Sequence, residues 1–245
     1  MPELPEVETT VRGLEKVLLG RKLVRVEPRR AKYGLIETDR RDTLIFHLGM
    51  SGRWRIDPDE IGKHDHLLLE TDDGRRLSLN DPRRFGSLDL MPTANVPDWP
   101  PFRALGPEPL GGTLTGSWLR DRFTGRSAAV KLLLLDQRIV AGLGNIYVCE
   151  ALFRARIDPR KAGGRVGIDK LRVLAATIPS VLEEAIAAGG SSLRDFARPD
   201  GELGYFSKQF DVYDREGEPC RGGCAGTVKR IVQGGRSTFY CTCQR

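Results

Sequence analysis

Six of the fifteen prolines fall between residues 92 and 112, closing with Gly106-Pro107-Glu108-Pro109-Leu110. Proline has no amide hydrogen and a fixed φ, so a stretch this dense is expected to stay out of sheets and helix interiors and to link two domains. The hydrophobic period changes across it. Before it, short alternating runs (22–26, 33–38, 44–48, 66–71, 76–80 and 86–91) are separated by turns such as Asp39-Arg40-Arg41-Asp42 and Asp72-Asp73-Gly74. That pattern predicts a β-sandwich. Ahead of the sandwich, Pro5 suits the first position of a helix, and Val7, Val11, Leu14 and Leu18 form one apolar stripe before Gly20, which predicts a helix docked on the sheets. Beyond the prolines, 118–123, 128–136, 146–154 and 170–188 carry a helical period, so the second half reads as mainly α. The fold class is α+β, with expected divisions at 1–91, 92–112, 113–210 and 211–245.

A net charge of +6 and a pI near 9.2 favour a polyanionic partner. The acidic, helical start is unlike a signal peptide, and no run reaches the ~18 apolar residues of a membrane span. The expectation is a cytoplasmic protein with no membrane partner. Four of the five cysteines sit at Cys220, Cys224, Cys241 and Cys243, the arrangement of a structural tetrahedral zinc site. No histidine lies near, because the three are His47, His64 and His66. The fifth, Cys149, reads as a small buried residue. From Pro219 to the C-terminus there are five Lys or Arg and no acidic residue, so the hairpin between the cysteine pairs is expected to face nucleic acid.

The chemistry concentrates at the other end of the chain. Removal of Met1 before the small Pro2 leaves a secondary amine able to attack a carbonyl carbon and form an iminium. A helix starting at Pro5 would place its positive dipole end beside that amine and disfavour its protonated form. Glu3 is placed to donate or accept a proton, and Glu6 to stabilise the helix start or orient the terminus. Taken alone, the same residues also read as an ordinary helix start. In the second half, Ala141-Gly142-Leu143-Gly144-Asn145-Ile146-Tyr147 reads as a tight glycine turn with Asn145 capping the helix that follows.

Pro2-Glu3-Leu4-Pro5-Glu6-Val7-Glu8-Thr9 resembles the N-terminal signature of the formamidopyrimidine-DNA glycosylase family, and further matches run nearly to the C-terminus. The resemblance implies a bifunctional glycosylase and lyase that excises oxidised purines such as 8-oxoguanine and formamidopyrimidines from double-stranded DNA. It also implies β,δ-elimination at abasic sites, a monomer and one structural zinc. Catalytic roles would fall to Pro2 as nucleophile, Glu3 as acid/base, Lys32 on the lesion phosphate and Arg236 clamping the flanking phosphates. His47 would contact the backbone, and Met50, Arg83 and Phe85 would fill the void left by the extruded nucleotide. Lys131 would lie near the lesion. Asn145 would reach a phosphate from a helix-two-turn-helix element, and Tyr205 would tip a loop, 191–206, that closes over the base. On residue type alone, Met50 and Phe85 also read as core residues, and Lys131 as a helix-surface charge.

Two departures stand out. Family members carry additional strand and loop sequence before the Arg30-Ala31-Lys32-Tyr33 motif, where this chain has only Glu27-Pro28-Arg29. The family spacing also puts two residues inside each cysteine pair, against three and one here. In an extended strand Cys241 and Cys243 would share a face and need a bend to meet one ion. The alternatives are an endonuclease VIII-like glycosylase for oxidised pyrimidines and a noncatalytic zinc-containing DNA-binding protein. The family match of the Met50, Arg83 and Phe85 set favours the purine enzyme over the first.

Overall fold

The structure, a computed structural model, describes residues 2–18, 23–28, 31–191, 199 and 201–244. The predicted strand start at Lys22, Gly20, the Arg29-Arg30 pair and most of the predicted capping loop (192–198 and 200) lie outside the described residues. Two compact units emerge: Met1–Arg103 with Ala185–Ser207, and Ala104–Glu184 with Lys208–Arg245.

In the first unit, α1 (Leu4–Leu18) buries the predicted stripe. Val7, Val11, Leu14 and Leu18 pack with Ile36, Phe46, Trp54 and Leu77 into one core. The strands are β1 (Leu23–Pro28), β2 (Tyr33–Thr38), β3 (Asp42–His47), β4 (Arg53–Ile56), β5 (Asp65–Glu70), β6 (Arg76–Asn80) and β7 (Ser87–Pro92). They form sheets ordered β1-β2-β3-β7 and β4-β6-β5. The short approach to Lys32 is accommodated by direct antiparallel pairing of β1 with β2, Pro28 opposite Gly34. Gly34 is required there: a Cβ would lie 2.1 Å from the Phe46 ring. Strand β4 escaped prediction because Arg-Trp-Arg-Ile is too short and too charged for its alternation to register; Trp54, 1% exposed, is what the core uses.

The proline-rich stretch is more structured than expected. Pro92 ends β7 opposite Asp42, Pro97 lies inside a 3-10 turn at Thr93–Asp98, and Pro100–Arg103 forms α2. Proline is tolerated at the end of an edge strand and in the first turn of a helix, where no N–H is needed.

The second unit contains α3 (Gly116–Phe123), α4 (Val130–Leu134), α5 (Asn145–Arg154), most of α6 (Ile168–Ala187) and the hairpin β8 (Val228–Gln233) and β9 (Arg236–Cys241). Helix α4 is shorter than its predicted span of 128–136. Helix α5 anchors the hairpin. Cys149 and Phe153 on its inner side pack with Val212, Cys220, Val228, Phe239 and Cys241. Next to Cys149 the buried Glu150 carboxylate accepts the backbone N–H groups of Asp211 (2.8 Å), Val212 (3.0 Å) and Tyr213 (2.8 Å). Burial pushes the Glu150 carboxyl up, and those three N–H groups pull it back.

Candidate active site and nucleic-acid interface

The N-terminus is tied by one carboxylate. Glu6 Oε2 accepts the Glu3 N–H at 2.9 Å, the reach-back of a capping box with Glu3 as N-cap. Glu6 Oε1 accepts both the N–H (2.8 Å) and the Oγ–H (2.9 Å) of Ser191. Residues 185–207 belong to this same unit, and Ser191 forms an isolated bridge with Tyr205. Pro2 is buried and Glu3 is 3% exposed, while Tyr205 is exposed. Glu6 therefore fixes the peptide that carries Pro2 and Glu3; the partner Ser191, 185 residues away, left no trace in the sequence.

A second cluster surrounds His47 at the end of β3. Lys32, buried in the turn before β2, and Tyr33, whose ring centroid lies 4.9 Å from the imidazole, flank it. Burial first, and the Lys32 charge second, hold His47 below the usual histidine value of 6.5. His47 Nδ1 accepts the Gly49 N–H at 3.1 Å, so the neutral ring carries its proton on Nε2 and is a hydrogen-bond donor without charge. In proton-detected NMR the imidazole should therefore titrate below 6.5, and Lys32→Ala should return the midpoint only part of the way, since burial is the larger cause. A midpoint above 6.5 would contradict this assignment.

Met50 and Phe85 are not core residues: they are 38% and 56% exposed. The Arg83 guanidinium lies over the Phe85 ring at 4.8 Å. The three side chains thus emerge from two abutting loops in the first unit. His66 Nε2 donates to the Asp81 carbonyl at 3.0 Å, and the His64 carbonyl accepts the Asp81 N–H.

In the second unit Lys131 is wholly buried, so it is no helix-surface charge. The capping expectation for Asn145 fails. Gly144, in extended conformation, is the N-cap of α5, and the Asn145 amide instead donates to the Ser237 carbonyl (2.9 Å) and the Tyr213 hydroxyl (3.3 Å). Asn145 thereby holds the strand beside Arg236. Gly234 and Gly235 both have positive φ, giving the two-residue turn that presents the exposed Arg236 at the start of β9.

The four late cysteines converge. Their sulfurs lie within 4.8 Å of one another, with Cys220 and Cys243 at 3.7 Å and Cys224 and Cys241 at 3.4 Å. A tetrahedron of Zn–S bonds near 2.3 Å has edges of about 3.8 Å, so this all-thiol set fits a metal ion. The Gly222 and Gly226 N–H groups point at Cys220 Sγ and Cys224 Sγ. Burial raises the Cys241 thiol, but the Cys243 N–H and the neighbouring thiols outweigh it and draw it down to about 7, while burial and the same neighbours push Cys243 up to about 12. The bend demanded by the single intervening residue is made by Gln244. Its side chain accepts the Cys241 N–H and donates to the Ile157 carbonyl, both at 2.8 Å, and its backbone N–H returns to the Cys241 carbonyl. Gln244 was not singled out from the sequence, since a glutamine near the chain end has no local signal.

Comparison with known proteins accords with this geometry. The formamidopyrimidine-DNA glycosylase N-terminal domain matches residues 1–29 and 28–88, and the formamidopyrimidine-DNA glycosylase H2TH domain matches residues 105–197. The N-terminal match divides at the shortened segment. Formamidopyrimidine-DNA glycosylases of Novosphingobium aromaticivorans and Rhizorhabdus wittichii are 62% and 59% identical over 272 aligned positions covering all of both chains. This chain has 245 residues, so the alignment leaves gaps in it. The MutM (Fpg) protein of Thermus thermophilus superposes with a TM-score of 0.89 at 37% identity, over 99% of this chain and 98% of that one. A Lactococcus lactis Fpg bound to DNA containing an abasic site superposes at 0.90 and 32% identity, over all of both chains. With signature, fold and cysteine cluster in agreement along its whole length, the chain belongs to the formamidopyrimidine-DNA glycosylase family, whose members act on damaged DNA.

Proposed function

We propose that the protein is a bifunctional glycosylase and abasic-site lyase that removes oxidised purines from duplex DNA. The observation that carries this reading is the anchored terminus: a buried Pro2 and Glu3 whose connecting peptide is held by Glu6. With Met1 removed, the Pro2 amine would attack C1′ of the damaged nucleoside and displace the base as the glycosidic bond breaks, and Glu3 would supply the proton to O4′ as the C1′–O4′ bond opens to the iminium. The iminium then acidifies the C2′ protons, so that β- and δ-elimination release both flanking phosphates. Lys32, the neutral donor His47 and Arg236 would bind the phosphates around the lesion, with Lys131 lying near it and Asn145 steadying the strand that carries Arg236. Met50, Arg83 and Phe85 would occupy the space the extruded nucleotide leaves, and Tyr205 would close over the base. Cys220, Cys224, Cys241 and Cys243 would hold one zinc ion, which supplies folding energy to the hairpin and no chemistry to the reaction.

Solved structures of Lactococcus lactis Fpg bind DNA containing Fapy-dG or an abasic site, the two substrates this reading requires. The protein should act as a monomer, in the cytoplasm. Two measurements test the proposal. Intact mass should show Met1 absent, because an amide nitrogen at Pro2 cannot form the iminium. Gel assays should show incision of an 8-oxoguanine duplex in preference to one carrying an oxidised pyrimidine. Pro2→Gly, which leaves a primary amine, should slow this incision without abolishing it. Incision with Met1 retained, or a preference for the pyrimidine, would overturn the assignment.

A further inference from the structure

Asp81 sits just after β6, 4% exposed, outside every role assigned above. Its Oδ1 accepts the Ser51 hydroxyl at 2.7 Å and its Oδ2 the Gly86 N–H at 2.8 Å. Ser51 Oγ in turn accepts the Arg83 N–H at 3.3 Å. The Asp81 carbonyl accepts from the Arg84 N–H and from His66. One side chain therefore joins the loop that carries Met50 to the loop that carries Arg83 and Phe85.

The two loops touch backbone to backbone, which explains their glycines. A Cβ on Gly49, at φ +59°, would lie 2.3 Å from the Phe85 carbonyl carbon, and one on Gly86 would lie 2.8 Å from the His47 carbonyl oxygen. Burial works against the Asp81 carboxylate, yet the Ser51 hydroxyl and the neighbouring N–H groups hold it below the usual aspartate range, so it is an anion in this network. Hydrogen bonds to a charged acceptor are about twice as strong as neutral ones. Among the described residues, the contact seen between these three exposed side chains is the Arg83–Phe85 stack.

We infer that Asp81, relayed by Ser51, is a positioning residue that sets the mutual register of Met50, Arg83 and Phe85 for entry into the base stack. The inference rests on the void-filling role proposed for those three. A wedge must meet the gap as one body, and misplacement on the order of an ångström costs up to about a hundredfold in rate. Asp81→Asn keeps the shape but removes the charge and faces the Gly86 N–H or the Ser51 hydroxyl with a second donor. Ser51→Ala removes only the relay and leaves the carboxylate bonded to Gly86.

The test compares single-turnover excision of 8-oxoguanine from a fully paired duplex with incision of a preformed abasic site held in an unpaired bubble, where no gap needs filling. Asp81→Asn should lose about tenfold or more on the duplex, and Ser51→Ala a smaller factor, with both within about threefold of wild type on the bubble. In a double-mutant cycle, Asp81→Asn should add little to Phe85→Ala on the duplex, because both remove the same device. Equal losses on both substrates, or full additivity with Phe85→Ala, would show a merely structural residue and overturn the inference. If Asp81→Asn does not fold, Ser51→Ala alone decides by the same comparison. Should Phe85→Ala itself lose nothing on the duplex, the void-filling role fails; a loss in Phe85→Ala with none in Asp81→Asn and Ser51→Ala refutes Asp81 alone.

Discussion

Glu3→Gln is expected to leave a folded, DNA-binding protein that excises 8-oxoguanine roughly 10²- to 10⁴-fold more slowly, the range of a lost general acid. The substitution keeps the side chain's volume in a site where Glu3 is only 3% exposed. The bond that orients the terminus also survives, because Glu6 accepts the backbone N–H of residue 3 and not its side chain. What disappears is a proton at the moment the sugar of an intact nucleoside opens. A preformed abasic site is already in equilibrium with an open aldehyde, so the Pro2 amine attacks it without that help, and incision there should persist. Single-turnover excision and abasic incision measured side by side give the split. Excision at the wild-type rate would show that Glu3 is not the acid.

Cys243→Ser should act at the other end of the chain and on binding instead of chemistry. The hairpin of β8 and β9 buries few apolar side chains, chiefly Val228, Phe239 and Tyr240, and leaves Val232 exposed, and a segment that small seldom folds without a staple. The cysteine set ties the hairpin base to the turn at Cys220–Cys224; loss of one thiolate frees Arg236, the first residue of β9. Zinc content should fall, duplex affinity should fall in parallel with Arg236→Ala, and the slope of log affinity against log salt should become shallower as fewer phosphates are neutralised. At enzyme concentrations high enough to force binding, abasic incision should survive. Metal analysis of the wild-type protein tests the premise: under about half an equivalent of zinc with DNA binding intact would mean that the shortened cysteine pair does not ligate.

Features carried by local periodicity were legible in the sequence. The stripe of Val7, Val11, Leu14 and Leu18 became one face of the core, and the runs at 33–38 and 76–80 became strands with those bounds. Where a partner distant in sequence decides the outcome, the reading failed or fell silent. Asn145 was expected to cap a helix because its side chain suits that position, but the Ser237 carbonyl, 92 residues away, claims it, and Gly144 takes the cap. Asp81 was not singled out from the sequence, since its importance lies in Ser51, 30 residues earlier. Glu150 gave no signal, because the backbone groups it satisfies lie 61 to 63 residues away, and Gln244 gave none, because its amide joins the nearby Cys241 N–H to the Ile157 carbonyl, 87 residues away. The cysteines were legible because metal ligation imposes its own spacing; the bend that the short pair needs was foreseen, but not the residue that makes it.

The central claim, that the amine of Pro2 is the nucleophile, is tested most directly by borohydride reduction of the protein on an 8-oxoguanine duplex, followed by mass mapping of the cross-linked peptide. An iminium trapped during turnover becomes a stable amine, so the adduct should fall on the N-terminal peptide beginning at Pro2 and should be absent from protein that retains Met1. An adduct on a lysine such as Lys32 or Lys131, or incision of the duplex with no adduct at all, would contradict it.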